Sequence, residues 1–230
     1  MKYSKTIKAN FLKRVNRFIG IVEINGHAKT VHIKNTGRCK ELLIQGTEVY
    51  LEPAGNAQRK TKYDLVAVNK NNSNKIVNID SQAPNKLVAE WLGKSGIFSD
   101  KALIKQEQVY GKSRFDFYIE DGPRKAFMEV KGVTLEDDNA ALFPDAPTER
   151  GVKHLNELID AAKKGYEAYV VFVIQFSGAK LFAPNAKTHK EFAIILHKAK
   201  LNGVKVIAVD CAVDTDAISI DNYVQVETAK

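Results

Sequence analysis

Arg114-Phe115-Asp116-Phe117-Tyr118 and Phe127-Met128-Glu129-Val130-Lys131 are the two stretches that decide how this chain is read. Between them, Glu120-Asp121-Gly122-Pro123-Arg124-Lys125 contains Asp-Gly and Gly-Pro and reads as a turn. Both flanks alternate and are rich in aromatic and β-branched residues, the pattern of a β-hairpin. With the turn centred between Gly122 and Pro123, Asp116 faces Glu129 and Arg114 faces Lys131. Cross-strand Cβ atoms lie only about 5 Å apart, where like charges destabilise a sheet. Two acids held there beside a lysine call for a cation between them, and carboxylate oxygens suit a hard divalent ion. Solvated acids on a strand are the ordinary alternative. Phe115, Phe117, Met128 and Val130 flank both acids with apolar side chains, which places them beside a core.

Charge sharpens the functional reading. The chain has 35 Lys+Arg and 27 Asp+Glu, a net of +8. Residues 1–84 hold 15 basic and 6 acidic residues, +9, against 20 and 21 in the remainder, −1. A segment this basic attracts polyanions, with nucleic acid ahead of an anionic membrane surface. No apolar run approaches the roughly 20 residues of a membrane helix, and no signal-peptide core follows Met1-Lys2-Tyr3-Ser4-Lys5. No membrane partner is expected. Cys39 and Cys211 stand far apart without a CxxC pattern, so neither zinc nor a disulfide framework is suggested and a reduced, cytoplasmic compartment is expected.

Residues 7–80 read as β-rich. Arg17–Ile24 and Ala28–Ile33 flank Asn25-Gly26, a strong hairpin signal. Glu48–Glu52, Leu65–Val68 and Lys75–Asn78 complete about five short strands, separated by turn residues that include the Asn69–Asn74 run. This spacing with this charge suggests an oligonucleotide-binding (OB) barrel over residues 1–84. Its loops offer Arg38 and Lys40, then Arg59, Lys60 and Lys62, for phosphates, with Arg14 and Arg17 as secondary candidates.

Ser81-Gln82-Ala83-Pro84 forms the junction to a second domain, residues 85–230. Asn85 is expected to cap a helix running to Leu92, with Glu90 near its middle. A strand from Leu103 to Tyr110 and the hairpin follow. A second helix spans Thr148–Lys164, with Val152, Leu155, Ile159 and Ala162 on one face and Arg150 and His154 on another. Tyr166–Phe176 is nearly all apolar, as a strand buried on both faces should be. A helix, His189–Leu201, and a strand, Val204–Val213, close the series. The expected fold is two-domain α+β, a barrel joined to an α/β sandwich with a mixed sheet.

Asn16-Arg17-Phe18, Asn35-Thr36-Gly37, Ser113-Arg114-Phe115-Asp116-Phe117, Glu129-Val130-Lys131-Gly132-Val133-Thr134 and Phe143-Pro144-Asp145-Ala146-Pro147-Thr148-Glu149-Arg150-Gly151 with His154-Leu155 carry a resemblance. Over nearly its whole length the chain resembles the sugar fermentation stimulation protein A family. That resemblance implies an N-terminal OB barrel and a domain of restriction-endonuclease-like, PD-(D/E)xK topology. It implies sequence-non-specific DNA binding and a role in regulating sugar (maltose) metabolism. The nuclease-like motif falls on Asp116 and Glu129-Val130-Lys131. Asp116, Glu129 and the Val130 carbonyl would then hold Mg²⁺ or Mn²⁺, assisted by Glu90 from the preceding helix, and Lys131 would orient a water and offset phosphate charge. Arg114, Arg150 and His154 would serve nucleic-acid contact.

Two readings follow. One is DNA binding, RNA not excluded, by a protein that retains a metal site. The alternative is a Mg²⁺- or Mn²⁺-dependent endonuclease hydrolysing phosphodiester bonds. The second helix lacks the Gln-x-x-x-Tyr pattern of some active nucleases, which puts binding first. A sugar-binding scaffold has little behind it: one Trp and no aromatic cluster.

Overall fold

Asn25 and Gly26 take φ of 50° and 77°, the left-handed pair that a tight hairpin turn demands, and Ile24 accordingly pairs with His27. This computed structural model describes residues 1–56, 58–71, 73 and 75–228. Asn72 and Asn74 of the expected polar turn lie outside the described residues. The hairpin joins β2 (Ile19–Ile24) to β3 (His27–Ile33) within a six-stranded sheet. Its other strands are β1 (Ile7–Arg14), β4 (Glu48–Pro53), β5 (Tyr63–Lys70) and β6 (Lys75–Asn78), in the order β3-β2-β1-β4-β5-β6. A short parallel pairing of β3 with β5, His32 opposite Asp64 and Ile33 opposite Leu65, closes the sheet into an OB-like barrel. The sequence reading missed β1, whose Ala9 and Phe11 point into the barrel.

After α1 (Ala83–Leu92) comes a nine-stranded mixed sheet. It contains β7 (Leu103–Tyr110), β8 (Ser113–Asp121), β9 (Arg124–Val133), β10 (Leu135–Asp137), β11 (Ala140–Phe143), β12 (Glu167–Ile174), β13 (Leu181–Pro184), β14 (Val204–Val213) and β15 (Ile218–Val226). The order is β10-β11-β13-β15-β14-β12-β9-β8-β7, with α2 (Glu149–Lys163) and α3 (Lys190–Leu201) completing the domain. β12 sits at the heart of it, parallel to both β9 and β14. Its alternation feeds two cores: Ala168, Val170, Phe172 and Ile174 face α2 and α3, while Tyr169, Val171 and Val173 face α1. A strand covered on both faces must be apolar throughout, which is why Tyr166–Phe176 carries no alternation of its own.

The two sheets are joined by buried polar groups. Gln175 Nε2 donates to Asn78 Oδ1 (2.9 Å) and to the Asp80 carbonyl (3.0 Å), and all three residues are at most 1 % exposed. Asn78 Nδ2 donates to the Tyr3 hydroxyl (2.8 Å), and Lys34 Nζ meets Asp80 at 2.7 Å. The first residues cross to the second sheet, where Lys2 bridges Ala217 and Tyr3 N–H donates to the Asp216 carbonyl. Farther along, Lys70 Nζ (2.7 Å) and Lys75 Nζ from the barrel both bind Glu136. Burial opposes the Glu136 charge, yet the bonds from Lys70 and Lys75 outweigh it and hold the carboxyl below its ordinary range.

A carboxyl depressed on folding adds stability that is complete above the ordinary glutamate value, about 4.3. That stability is lost as pH falls through the lower folded value. Glu136→Gln should therefore weaken the protein at neutral pH and lose less of its remaining stability on acidification than the wild type. Urea denaturation of both proteins across an acid pH series checks this, and parallel curves would refute it.

Candidate metal centre

The hairpin register is the one its turn chemistry requires: Asp121 pairs with Arg124, Tyr118 with Phe127 and Phe117 with Met128. Backbone pairing stops there, one step short of the two acids. Asp116 replaces a strand carbonyl with its own side chain, Oδ2 accepting the Val130 N–H at 2.7 Å. Its Oδ1 accepts from Asn85 Nδ2, also at 2.7 Å. Glu129 lies opposite and is 3 % exposed. Its Oε1 accepts from Lys131 Nζ at 2.5 Å and from His154 Nδ1. Lys131 reaches it because residues two apart on a strand share a face. His154 arrives from the buried side of α2, whose N-cap Thr148 accepts from Gly151 N–H at 3.1 Å. Arg150 Nε donates to His154 Nε2 at 3.4 Å, so the partners place on Nδ1 the ring proton that Glu129 accepts.

Glu129 Oε2 is buried with no hydrogen-bond partner. A buried carboxylate oxygen without a donor costs more than about 1–3 kcal/mol, and each such case in a native fold asks for a water or an ion. The two acids respond differently to their setting. Burial, reinforced by the Glu129 charge, pushes the Asp116 carboxyl up. Burial acts the same way on Glu129, but His154 and Lys131 outweigh it and hold that carboxyl down. A cation between them would meet the orphan oxygen and cancel the repulsion on Asp116 together. Carboxylate oxygens as donors fit Mg²⁺, Mn²⁺ or Ca²⁺ rather than a soft metal.

Residues 12–79 match the family model described as the SfsA N-terminal OB domain, and residues 82–217 match the sugar fermentation stimulation protein RE domain. The chain belongs to the SfsA family. It is 54% identical to the sugar fermentation stimulation protein homolog of Clostridium beijerinckii over 98% of this chain and 99% of that one. It is 55% identical to the homolog of Desulfitobacterium hafniense over 99% and 98%. Among solved structures it is similar to SfsA of Pyrococcus furiosus in complex with Ca²⁺, at 31% identity and a TM-score of 0.86, covering 99% of this chain and 98% of that one.

In this SfsA family member, several residues singled out from the sequence lie elsewhere than expected. Glu90 does not join Asp116 and Glu129. It is exposed and binds the Met1 ammonium at 2.9 Å. Five residues along α1 turn a side chain by roughly 140°, so with Asn85 on the acids, Glu90 faces away. Asn85 itself is not the cap; α1 begins at Ala83 after Gln82. Arg14 gives all its donors to carbonyls, so it has none left for phosphate, and Arg59 is held by both oxygens of Asp64 (2.7 and 3.0 Å). His154 is buried on Glu129, whereas Arg150 is exposed. Arg114 is exposed and pairs with Glu107 at 2.6 Å. Arg17, Arg38, Lys40, Lys60 and Lys62 are exposed, and Arg17, Arg38 and Lys40 line one pocket of about 460 Å³.

A second group that could hold a metal ion was not legible in the sequence: Glu149, His189 and Glu191, whose ligand atoms lie within 4.8 Å of one another. The acids stand in the first turns of α2 and α3, where negative charge is favourable in any case. His189 Nδ1 accepts the Thr148 N–H at 3.3 Å, which puts the ring proton on Nε2, facing Glu149 at 3.6 Å.

His154→Ala should destabilise the fold by about 1.5–3 kcal/mol, the worth of a hydrogen bond to a charged group. Arg150→Ala, which removes only the long hydrogen bond to the outer nitrogen of His154, should cost less, about 0.5–1.5 kcal/mol. Urea denaturation measures both, and equal effects would show that Glu129 does not depend on His154.

Proposed function

We propose that this protein binds DNA without sequence specificity along its basic barrel loops, and that Asp116 and Glu129 hold a divalent cation between β8 and β9 of the second sheet. The observation that carries the cation is the buried, unpartnered Glu129 Oε2 beside a carboxyl that the same charge disturbs. The Ca²⁺ bound by the related Pyrococcus furiosus protein supports the choice of a hard divalent ion.

DNA binding rests on where uncompensated charge remains. Lys8, Lys34, Arg59, Lys70 and Lys75 are consumed by Glu48, Asp80, Asp64 and Glu136. Among the described residues, Arg17, Arg38 and Lys40 form no ion pair and share one rim. Asp145 ties that rim to the loop leading into α2, its Oδ2 accepting the Arg38 N–H at 2.9 Å. Ser81, Gln82 and Thr36 line a neighbouring pocket, so the segment entering α1 and Asn85 borders it too. A phosphate backbone on this rim would lie next to the helices whose Asn85 and His154 hold the acids.

A second reading, phosphodiester hydrolysis, is favoured by Lys131. A bound Mg²⁺ or Mn²⁺ would polarise a phosphate oxygen and lower the pKa of a coordinated water. The chain's own residues would do the rest. Asn85 and the Val130 N–H fix Asp116, His154 fixes Glu129, and Lys131 holds its ammonium where a phosphate oxygen can share it.

Ca²⁺ or Mn²⁺ should raise the melting temperature of the wild type and leave Asp116→Ala and Glu129→Ala unmoved. No shift in the wild type would end the metal assignment. Arg17→Glu, Arg38→Glu and Lys40→Glu should together lower DNA affinity at least about tenfold and flatten its salt dependence, whereas Asp116→Ala retains binding. Hydrolysis predicts plasmid nicking with Mn²⁺ that Asp116→Ala and Glu129→Ala abolish; pure wild type inert on single-stranded, duplex and branched DNA would leave binding alone.

A further inference from the structure

Arg14 spends all five guanidinium N–H groups on backbone carbonyls of two loops: Asn16 (3.2 Å) and Arg17 (2.7 Å) from one, Asn35 (2.9 Å), Gly37 (2.8 Å) and Arg38 (2.5 Å) from the other. Asn16 Oδ1 then accepts the N–H groups of Phe18 (2.9 Å) and Ile19 (3.0 Å), and the Phe18 carbonyl accepts Ile33 N–H at 2.8 Å. Phe18 is therefore fixed through both backbone groups, while the residue as a whole is 50% exposed. Single exposed apolar residues are commonplace and need no explanation. One whose backbone is locked beside a fully committed arginine, next to a pocket lined by Arg17, Arg38 and Lys40, is a different case.

The Phe18 ring borders a pocket of about 180 Å³ with His32, Thr36, Ser81 and Gln82. That is smaller than the roughly 300–1,000 Å³ of sites for drug-sized ligands. Its outer rim continues through Thr36 into the pocket of Arg17, Arg38 and Lys40. A flat aromatic face, hydrogen-bonding groups beside it and cations spaced around it form the combination that binds single strands, where bases stack on the ring and phosphates meet the charges. In a duplex the base faces are already covered by their neighbours, so the ring has nothing to stack on.

We infer that Phe18 is a stacking platform for an unpaired base of single-stranded DNA, with Arg17 and Arg38 on the flanking phosphates. This rests on the DNA-binding reading above and adds the substrate class. Its fixed backbone means the ordering cost of the platform is met before DNA arrives.

The test is fluorescence anisotropy with a single strand of about 12 nucleotides, within the footprint of one OB barrel, and a hairpin duplex of similar charge. Phe18→Ala should weaken single-strand binding about 5- to 150-fold, the range for one stacked base. Duplex binding should change less than about twofold and the salt slope not at all, since no phosphate contact is removed. Phe18→Trp should retain single-strand affinity, and unchanged melting temperatures confirm that both variants fold. Equal losses on both DNAs, or no loss on either, would overturn the platform while DNA binding stands. Wild type that binds neither DNA would remove the DNA-binding reading and this inference with it.

Discussion

Taking a carboxylate out of water costs several kcal/mol even after the protein relaxes around it, and Glu129 is where this fold accepts that cost. Everything near the acid is arranged around it. His154 is brought in from α2 and Lys131 from the same strand face, and both act on one oxygen. Asp116 stands across the hairpin with its own oxygens held by Asn85 and Val130. The helices on opposite faces of the sheet thus each contribute one polar side chain to the pair of acids between β8 and β9. The remaining Glu129 oxygen is left without a donor, which is a poor solution for stability alone and a sound one for binding a cation.

The barrel and the second sheet meet through polar groups that are themselves buried. Asn78, Asp80 and Gln175 satisfy one another so completely that sliding one sheet against the other would strand several of them at once. Gly132 shows how close the approach is: a Cβ there would lie 2.5 Å from Gln175 Oε1 and 2.8 Å from Pro84. Because Gly132 follows Lys131 directly, the same contact that joins the two parts also sets the strand bearing the acids.

How much of this was legible in the sequence depended on the range of the interaction. The hairpin was, because Gly122 and Pro123 fix the turn and the turn fixes the register. Helices α2 and α3 were, from their periodicity and their Gly165 and Gly203 stops. Strands of three or four residues, β10, β11 and β13, carry too little pattern to register, and β15 keeps only Ile218 and Val224 buried. In β1, Lys8 and Asn10 diluted the strand signal, since neither residue favours a sheet. At the site, the sequence distinguished acids from bases but not which bases folding would consume. Arg14 and Arg59 look like phosphate ligands until their acceptors are in place, and only the helix geometry separates Asn85 from Glu90.

The Arg14 hub has an implication for how this surface can change. Its five bonds stitch two loops into one piece, and the planar fork that makes them has no lysine equivalent. An insertion in either loop would be transmitted to the other, so their lengths should drift together or not at all. Gly37 tightens that coupling, because any larger residue there would run into Asp145 at 2.7 Å. Variation on this face is therefore confined to the side chains that project outward, while the spacing between them is inherited as a unit.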